Sequence, residues 1–348
     1  MIRTLQSLRF FFIMLVVVSH YIGKSFDFGG ECGVSFFFIL SGFVLSVAYS
    51  GRISNGSFNT RQFVKKQWIK IYPLYIFTFI IMLILDLRLK VDYDLSVIIP
   101  NILLLQSWLP ADKYYFVANG SSWFLCDILF FYIIFKSLNN YILNKLGNGR
   151  IIYIISVVFL LYMFLVTVIS DSMINPILYV NPLTRMLDFS IGIILYKIYI
   201  SDIGQAMRNS IIKKSRLKVS FFEIIMMMSV FAIAIAYIYL PQRIRTVSLF
   251  WLVIPLFILF FAMSDKSNGV FTIMLQRKIM VWLGNISFEL YIMHGPVLRI
   301  FNSLSLQLGL KSGSIVHFTF FTLILITISY LTNVIMKHCT AAMKLNSR

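Results

Sequence analysis

Acidic residues are few in this chain: 13 Asp and Glu stand against 31 Lys and Arg, and charged residues make up only 13% of 348 positions. So little charge beside 59% hydrophobic residues excludes an ordinary soluble domain. No loop between the apolar runs is long enough to hold a core, which leaves one helical membrane domain over residues 1–348. Cysteine is scarce too. Cys32, Cys126 and Cys339 lie far apart and lack metal-ligand spacing, so unpaired thiols and no bound metal are expected. The first apolar run has no small-residue cleavage site and ends on His20 and Tyr21, which makes it a retained helix and not a signal peptide. An internal repeat is missing as well, so nothing suggests a transporter built from inverted halves.

What the chain does have is a series of apolar runs near or above the length that crosses about 30 Å of hydrocarbon. The formal charge of +18 points to nucleic acid only until the Lys and Arg residues are placed. They gather in particular loops, which is the positive-inside pattern, so the partner is a bilayer and not a nucleic acid. The predicted fold is all-α and polytopic, with ten spans near 5–21, 34–49, 71–87, 121–138, 151–170, 183–200, 221–240, 247–263, 280–301 and 315–335 and both termini cytoplasmic. Lys24, Asp27 and Glu31 fall in the first outer turn, and Arg243 and Arg245 in a later outer turn go against the charge rule. Val97 to Trp108 is too short to span and reads as re-entrant or interfacial. Pro73 is expected in the first turn of the third helix, where its missing N–H does no harm.

Arg9 and His20 organise this map. They are eleven residues apart, about 20° past three full helical turns, so both lie on one face with about 16 Å between them along the axis. Polar groups inside spanning helices cost several kcal/mol unless they meet a wet cavity or a partner, so each is a candidate. His20 either snorkels to water or acts as a general base; Arg9 either anchors the inner surface or lines the same channel. Asp127 needs a partner such as Arg or His, Arg185 and Asp188 are spaced to pair with each other, and Glu31 is a candidate acid. His294 precedes Gly295 and Pro296, which are expected to interrupt the ninth helix and free backbone groups. His317 and His338, at helix ends, carry no functional case. Lys65, Lys66 and Lys70 fit topology, yet Lys70 at the inner mouth of the third helix also suits a phosphorylated cytosolic donor.

Five segments together resemble the membrane-bound acyltransferase-3 family: Arg9 with ten residues before His20, Gly33 through Ser41-Gly42-Phe43, Lys70-Ile71-Tyr72-Pro73, Ser122-Trp123-Phe124-Leu125 followed by Phe131-Tyr132, and Ile286 through His294-Gly295-Pro296. The resemblance implies an integral-membrane O-acyltransferase of a bacterial inner membrane. It takes an acyl group, usually acetyl from acetyl-CoA, to a hydroxyl of a glycan or lipid-linked glycan such as O-antigen, capsule or exopolysaccharide. It further implies that Arg9 and His20 are essential, and that the basic pair before Ile71-Tyr72-Pro73 meets the acyl-CoA. That pair is Gln67 and Lys70 here, which leaves Lys66 and Lys70 to face phosphate, with Arg9 beside them. Ser41, Trp123, Asp127, Arg185, Glu31 and His294 are expected to bind the acceptor or support His20. An added extracytoplasmic esterase-like domain is not expected. The alternatives are an acceptor that is a small hydroxylated metabolite such as a macrolide, and a glycan flippase without chemistry of its own.

Overall fold

The computed structural model describes residues 1–23, 29–240, 247–308 and 313–345. Lys24, Asp27, Arg243 and Arg245 lie outside these, as does the side chain of Cys339. The described residues form helices and no strand. In chain order these are α1 (Arg3–Ile22), α2 (Gly30–Ser54), α3 (Thr60–Arg88), α4 (Leu95–Ile102), α5 (Asp112–Tyr115), α6 (Trp123–Asn140), α7 (Asn148–Val168) and α8 (Asp171–Met173). They continue as α9 (Pro182–Ile200), α10 (Asp202–Lys213), α11 (Arg216–Tyr239), α12 (Ile254–Met263), α13 (Val270–Leu275), α14 (Lys278–Asn285), α15 (Ser287–Gln307) and α16 (Ile315–Leu345).

Seven helical stretches among the described residues are long and apolar enough to cross a bilayer, and they correspond to the first, second, third, fourth, fifth, seventh and tenth predicted spans. The sixth is α9, which carries Arg185, Asp188 and Lys197 within its 19 residues. The eighth divides into a 3-10 turn, Val247–Leu252, and the ten-residue α12, with Pro255 in its first turn. The chain is thus an all-α polytopic membrane protein. Val97 to Trp108 forms only α4 and a single 3-10 turn, too short for a crossing.

Three local expectations need correction. Helix α3 opens eleven residues before Ile71, because the Asn59 side chain caps it by accepting from the Gln62 N–H at 3.0 Å; Pro73 therefore lies inside the helix. Helix α2 opens at Gly30, behind Gly29 in the left-handed conformation (φ 78°), so Glu31 stands in its first turn, where a carboxylate complements the helix dipole. The ninth predicted span breaks at Ile286, between α14 and α15, and not at Gly295-Pro296, which α15 carries without interruption.

The continuous α15 has a specific cause. Pro296 has no N–H for the carbonyl of Ile292, and the Asn119 amide supplies one instead at 3.0 Å. Asn119 follows Ala118, held at φ 50°, and also donates to Thr78 Oγ1 at 3.1 Å. One loop thereby ties α3 and α15 together. At the same end of these helices, Arg299 of α15 pairs with Asp86 of α3, which also accepts from Tyr93 at 2.8 Å. Burial and that bond push the Tyr93 hydroxyl above its ordinary pKa.

Small residues bring backbones into contact around α1 and α2, as membrane packing favours. A Cβ on Gly42 would sit 2.0 Å from the Phe189 carbonyl oxygen, and one on Gly192 2.0 Å from that of Ile39, so α2 and α9 touch main chain to main chain. Around this contact Phe38, Phe131, Phe135 and Phe189 form a fully buried aromatic core.

Candidate functional site

Helix α1 carries Arg9 and His20 to two different cavities. The larger, about 360 Å³, is lined by His20, Glu31, Asn119, Ser121, Trp123 and Tyr179, among others. The smaller, about 50 Å³, is lined by Arg9, Phe37, Phe124, Ser287 and Phe288. Val16, Val34 and Tyr291 border both. A stripe of α1 therefore runs from one chamber to the next, with these three side chains between them.

In the larger chamber His20 meets a second histidine. Its Nδ1 lies 2.9 Å from Nε2 of His294, and the Ser121 hydroxyl sits 3.2 Å from the latter and 3.5 Å from the former. The other nitrogen of His294, Nδ1, bonds the carbonyl of Tyr291. A carbonyl can only accept, so Nδ1 of His294 carries a proton. With one proton on each ring, Nε2 of His294 accepts from Nδ1–H of His20, and the lone pair of His20 resides on Nε2. Tyr291 is fixed at both ends, since its hydroxyl donates to the Ser121 carbonyl.

In the smaller chamber the Arg9 guanidinium donates through Nε to Ser287 Oγ at 3.0 Å. Ser287 is the first residue of α15, so the break at Ile286 is what presents it to α1. Glu289 and Tyr132 lie within electrostatic reach of Arg9. Lys70 is within reach of Arg9, Glu289, Lys66 and Lys337. Glu289 is held by Asn333, whose amide donates at 2.6 Å. One chamber thus holds a pair of bonded imidazoles, and the other a guanidinium among apolar and aromatic side chains.

Residues 2–334 match the family described as an acyltransferase domain, acyltransferase-3. The chain belongs to that family. Over 111 residues it is 38% identical to the acyltransferase MdmB of Streptomyces mycarofaciens, a stretch that covers 30% of this chain and 27% of that relative, so the match spans little more than a quarter of the relative's length. No solved structure matches the chain.

Within this family member, Arg9, His20, Glu31, Trp123 and His294 come together at or beside the two chambers. Lys66 and Lys70 share a face of α3 one turn apart and are exposed. Other predicted site residues fall elsewhere. The Ser41 hydroxyl donates to the Phe37 carbonyl of its own helix at 2.7 Å and borders neither chamber. Arg185, Asp188 and Asp127 are fully buried as one cluster. Arg185 pairs with Asp188 at 3.1 Å, donates to Ser35 at 3.1 Å and stacks over the rings of Phe38 and Tyr179, while Trp251 donates to Asp188 at 2.6 Å. Asp127 lies within electrostatic reach of both Arg185 and Asp188.

Five further residues were not marked in advance: Ser121, Asn119, Tyr291, Ser287 and Lys337. The signal for Asn119 was present in principle, because Pro296 announces that the Ile292 carbonyl needs a donor from elsewhere. Ser287 and Tyr291 lie within the segment from Ile286 to Pro296, whereas Ser121 and Lys337 lie outside every motif. His317 is buried and bonds Tyr21 at 2.7 Å, a packing contact between α1 and α16.

Proposed function

We propose that this acyltransferase moves an acetyl or other short acyl group from cytoplasmic acyl-CoA to a hydroxyl of a cell-surface glycan, acting within a bacterial inner membrane. One observation carries the reading: Arg9 and His20 occupy adjoining chambers along a single helix. Their axial separation, about 16 Å, is of the same order as an extended acyl-pantetheine arm. Lys66, Lys70 and Lys337 hold the donor phosphates at the inner mouth, with the positive-inside pattern setting which face is cytoplasmic. The thioester then reaches His20 without the whole of CoA crossing the bilayer.

Nε2 of His20 takes the proton from the acceptor hydroxyl as its oxygen attacks the thioester carbon. The new C–O bond forms, the C–S bond breaks, and the departing CoA sulfur receives the proton from His20. His294 keeps Nδ1–H of His20 engaged, which fixes the ring and stabilises the imidazolium formed midway. Arg9 draws the donor into the smaller chamber. Glu31 and the aromatic walls, Trp123 and Tyr179, receive the acceptor on the other side.

The test compares ester-linked acyl groups on the surface glycan, by NMR or mass spectrometry, in cells carrying wild type or His20→Ala at equal membrane abundance. Acylation with wild type and a loss of about 10²–10⁴-fold in the variant is the expected result. Equal acylation in both overturns the role of His20, and none in either overturns the acceptor.

A further inference from the structure

Val16, Val34 and Tyr291 are the side chains shared by both chambers. We propose that they form a rigid collar through which the acyl thioester passes, and that this collar selects the acyl group by width: unbranched chains pass end-on and branched ones do not. The proposal rests on the reading that the donor enters from the Arg9 side.

Three observations make the collar stiff and narrow. Val16 is wedged against α2, since a Cβ on Gly33 would lie 2.7 Å from its Cγ2 and 2.7 Å from the Phe12 carbonyl oxygen; α1 and α2 cannot part locally without losing that contact. Val16 and Val34 are β-branched, so each holds one strongly preferred rotamer on its helix. Tyr291 cannot swing aside freely, because its hydroxyl is tied to the Ser121 carbonyl and its ring packs on Phe124, with centroids 5.4 Å apart.

The chamber in front of the collar holds about 50 Å³, against about 360 Å³ behind it. Space of the smaller size accommodates a few water molecules. Only the β-alanyl-cysteamine end of the pantetheine arm has to enter the collar; it is unbranched and similar in cross-section to a straight acyl chain, so an aperture that admits the first admits the second. A branch at the carbon next to the carbonyl widens the leading end by a methyl group. Apolar pockets discriminate one such group by about 10–200-fold.

The experiment uses the full chain in lipid nanodiscs and compares acetyl-, butyryl- and isobutyryl-CoA as donors, the last two being isomers of equal composition. Wild type is expected to favour butyryl- over isobutyryl-CoA in kcat/KM by about tenfold or more. In Val16→Ala and Val34→Ala that preference falls to within about twofold, while in Val16→Ile it widens. Opposite responses to a smaller and a larger side chain at one position do not arise from general destabilisation. The collar is overturned if wild type uses the isomers equally, if the preference survives in both alanine variants, or if butyryl-CoA is rejected as strongly as isobutyryl-CoA. Consumption of none of the three donors by wild type overturns the acyl-CoA reading itself, and is distinguished from failure of the collar alone by the absence of acetyl transfer.

Discussion

Two groups of ionisable residues lie among the apolar helices, and they are built on opposite plans. Arg9 and His20 line cavities, His20 is exposed to one of them, and the buried His294 is bonded to His20. Arg185, Asp188 and Asp127 are sealed, with no exposed surface, under Phe38, Tyr179 and Trp251. Ionisable groups in a membrane protein therefore divide by access. A group that faces a chamber can exchange protons or meet a ligand, whereas a sealed set is closed on its own ion pair, here Arg185 with Asp188, and fixes the arrangement of the helices that carry it.

The largest expected effect breaks the sealed set. Arg185→Met leaves two carboxylates buried with no cation, at a cost of about 3–5 kcal/mol. Size-exclusion profiles and thermal unfolding in detergent should show most of the protein lost. Replacing Asp127 and Asp188 by Leu in the same chain should restore folded protein, since an apolar set of similar volume leaves no charge unpaired. Poor recovery in the triple variant would mean that Arg185 contributes more than balance to the fold.

A smaller effect is expected in the open set. His294→Leu removes the acceptor for Nδ1–H of His20 and should lower kcat by about 10–10²-fold, with KM for both substrates nearly constant. His294→Gln places an amide oxygen near the former Nε2 and should recover much of the loss. Equal rates for the two variants would show that His294 does not act by orienting His20.

The smallest effect concerns the cationic mouth. Lys70→Ala and Lys337→Ala should each raise KM for acyl-CoA about three- to tenfold without changing kcat, because in the proposed role the lysines would bind phosphate equally in ground and transition states. Raising ionic strength should bring wild type toward the variants. A fall in kcat instead would move these lysines from donor binding to the chemical step.

Helix α1 and its two polar residues were legible from sequence because a helical period is a local property: a spacing of eleven puts Arg9 and His20 on one stripe whatever surrounds them. The composition determined a polytopic helical protein for a similar reason, since long apolar runs with basic loops leave few other solvents for the chain. Pairing across the chain was decided only by tertiary structure. The bond between His20 and His294 joins residues 274 positions apart, and Asn119 reaches the Ile292 carbonyl across 173. Nor did periodicity reveal that the chain breaks at Ile286 and runs on through Pro296, because each outcome depends on a partner from elsewhere: Arg9 at Ser287, and Asn119 at the orphaned carbonyl. Local geometry sets which face a side chain occupies, while its partner is set by packing of distant helices, where Gly42 and Gly192 let main chains meet and carry the polar groups into register.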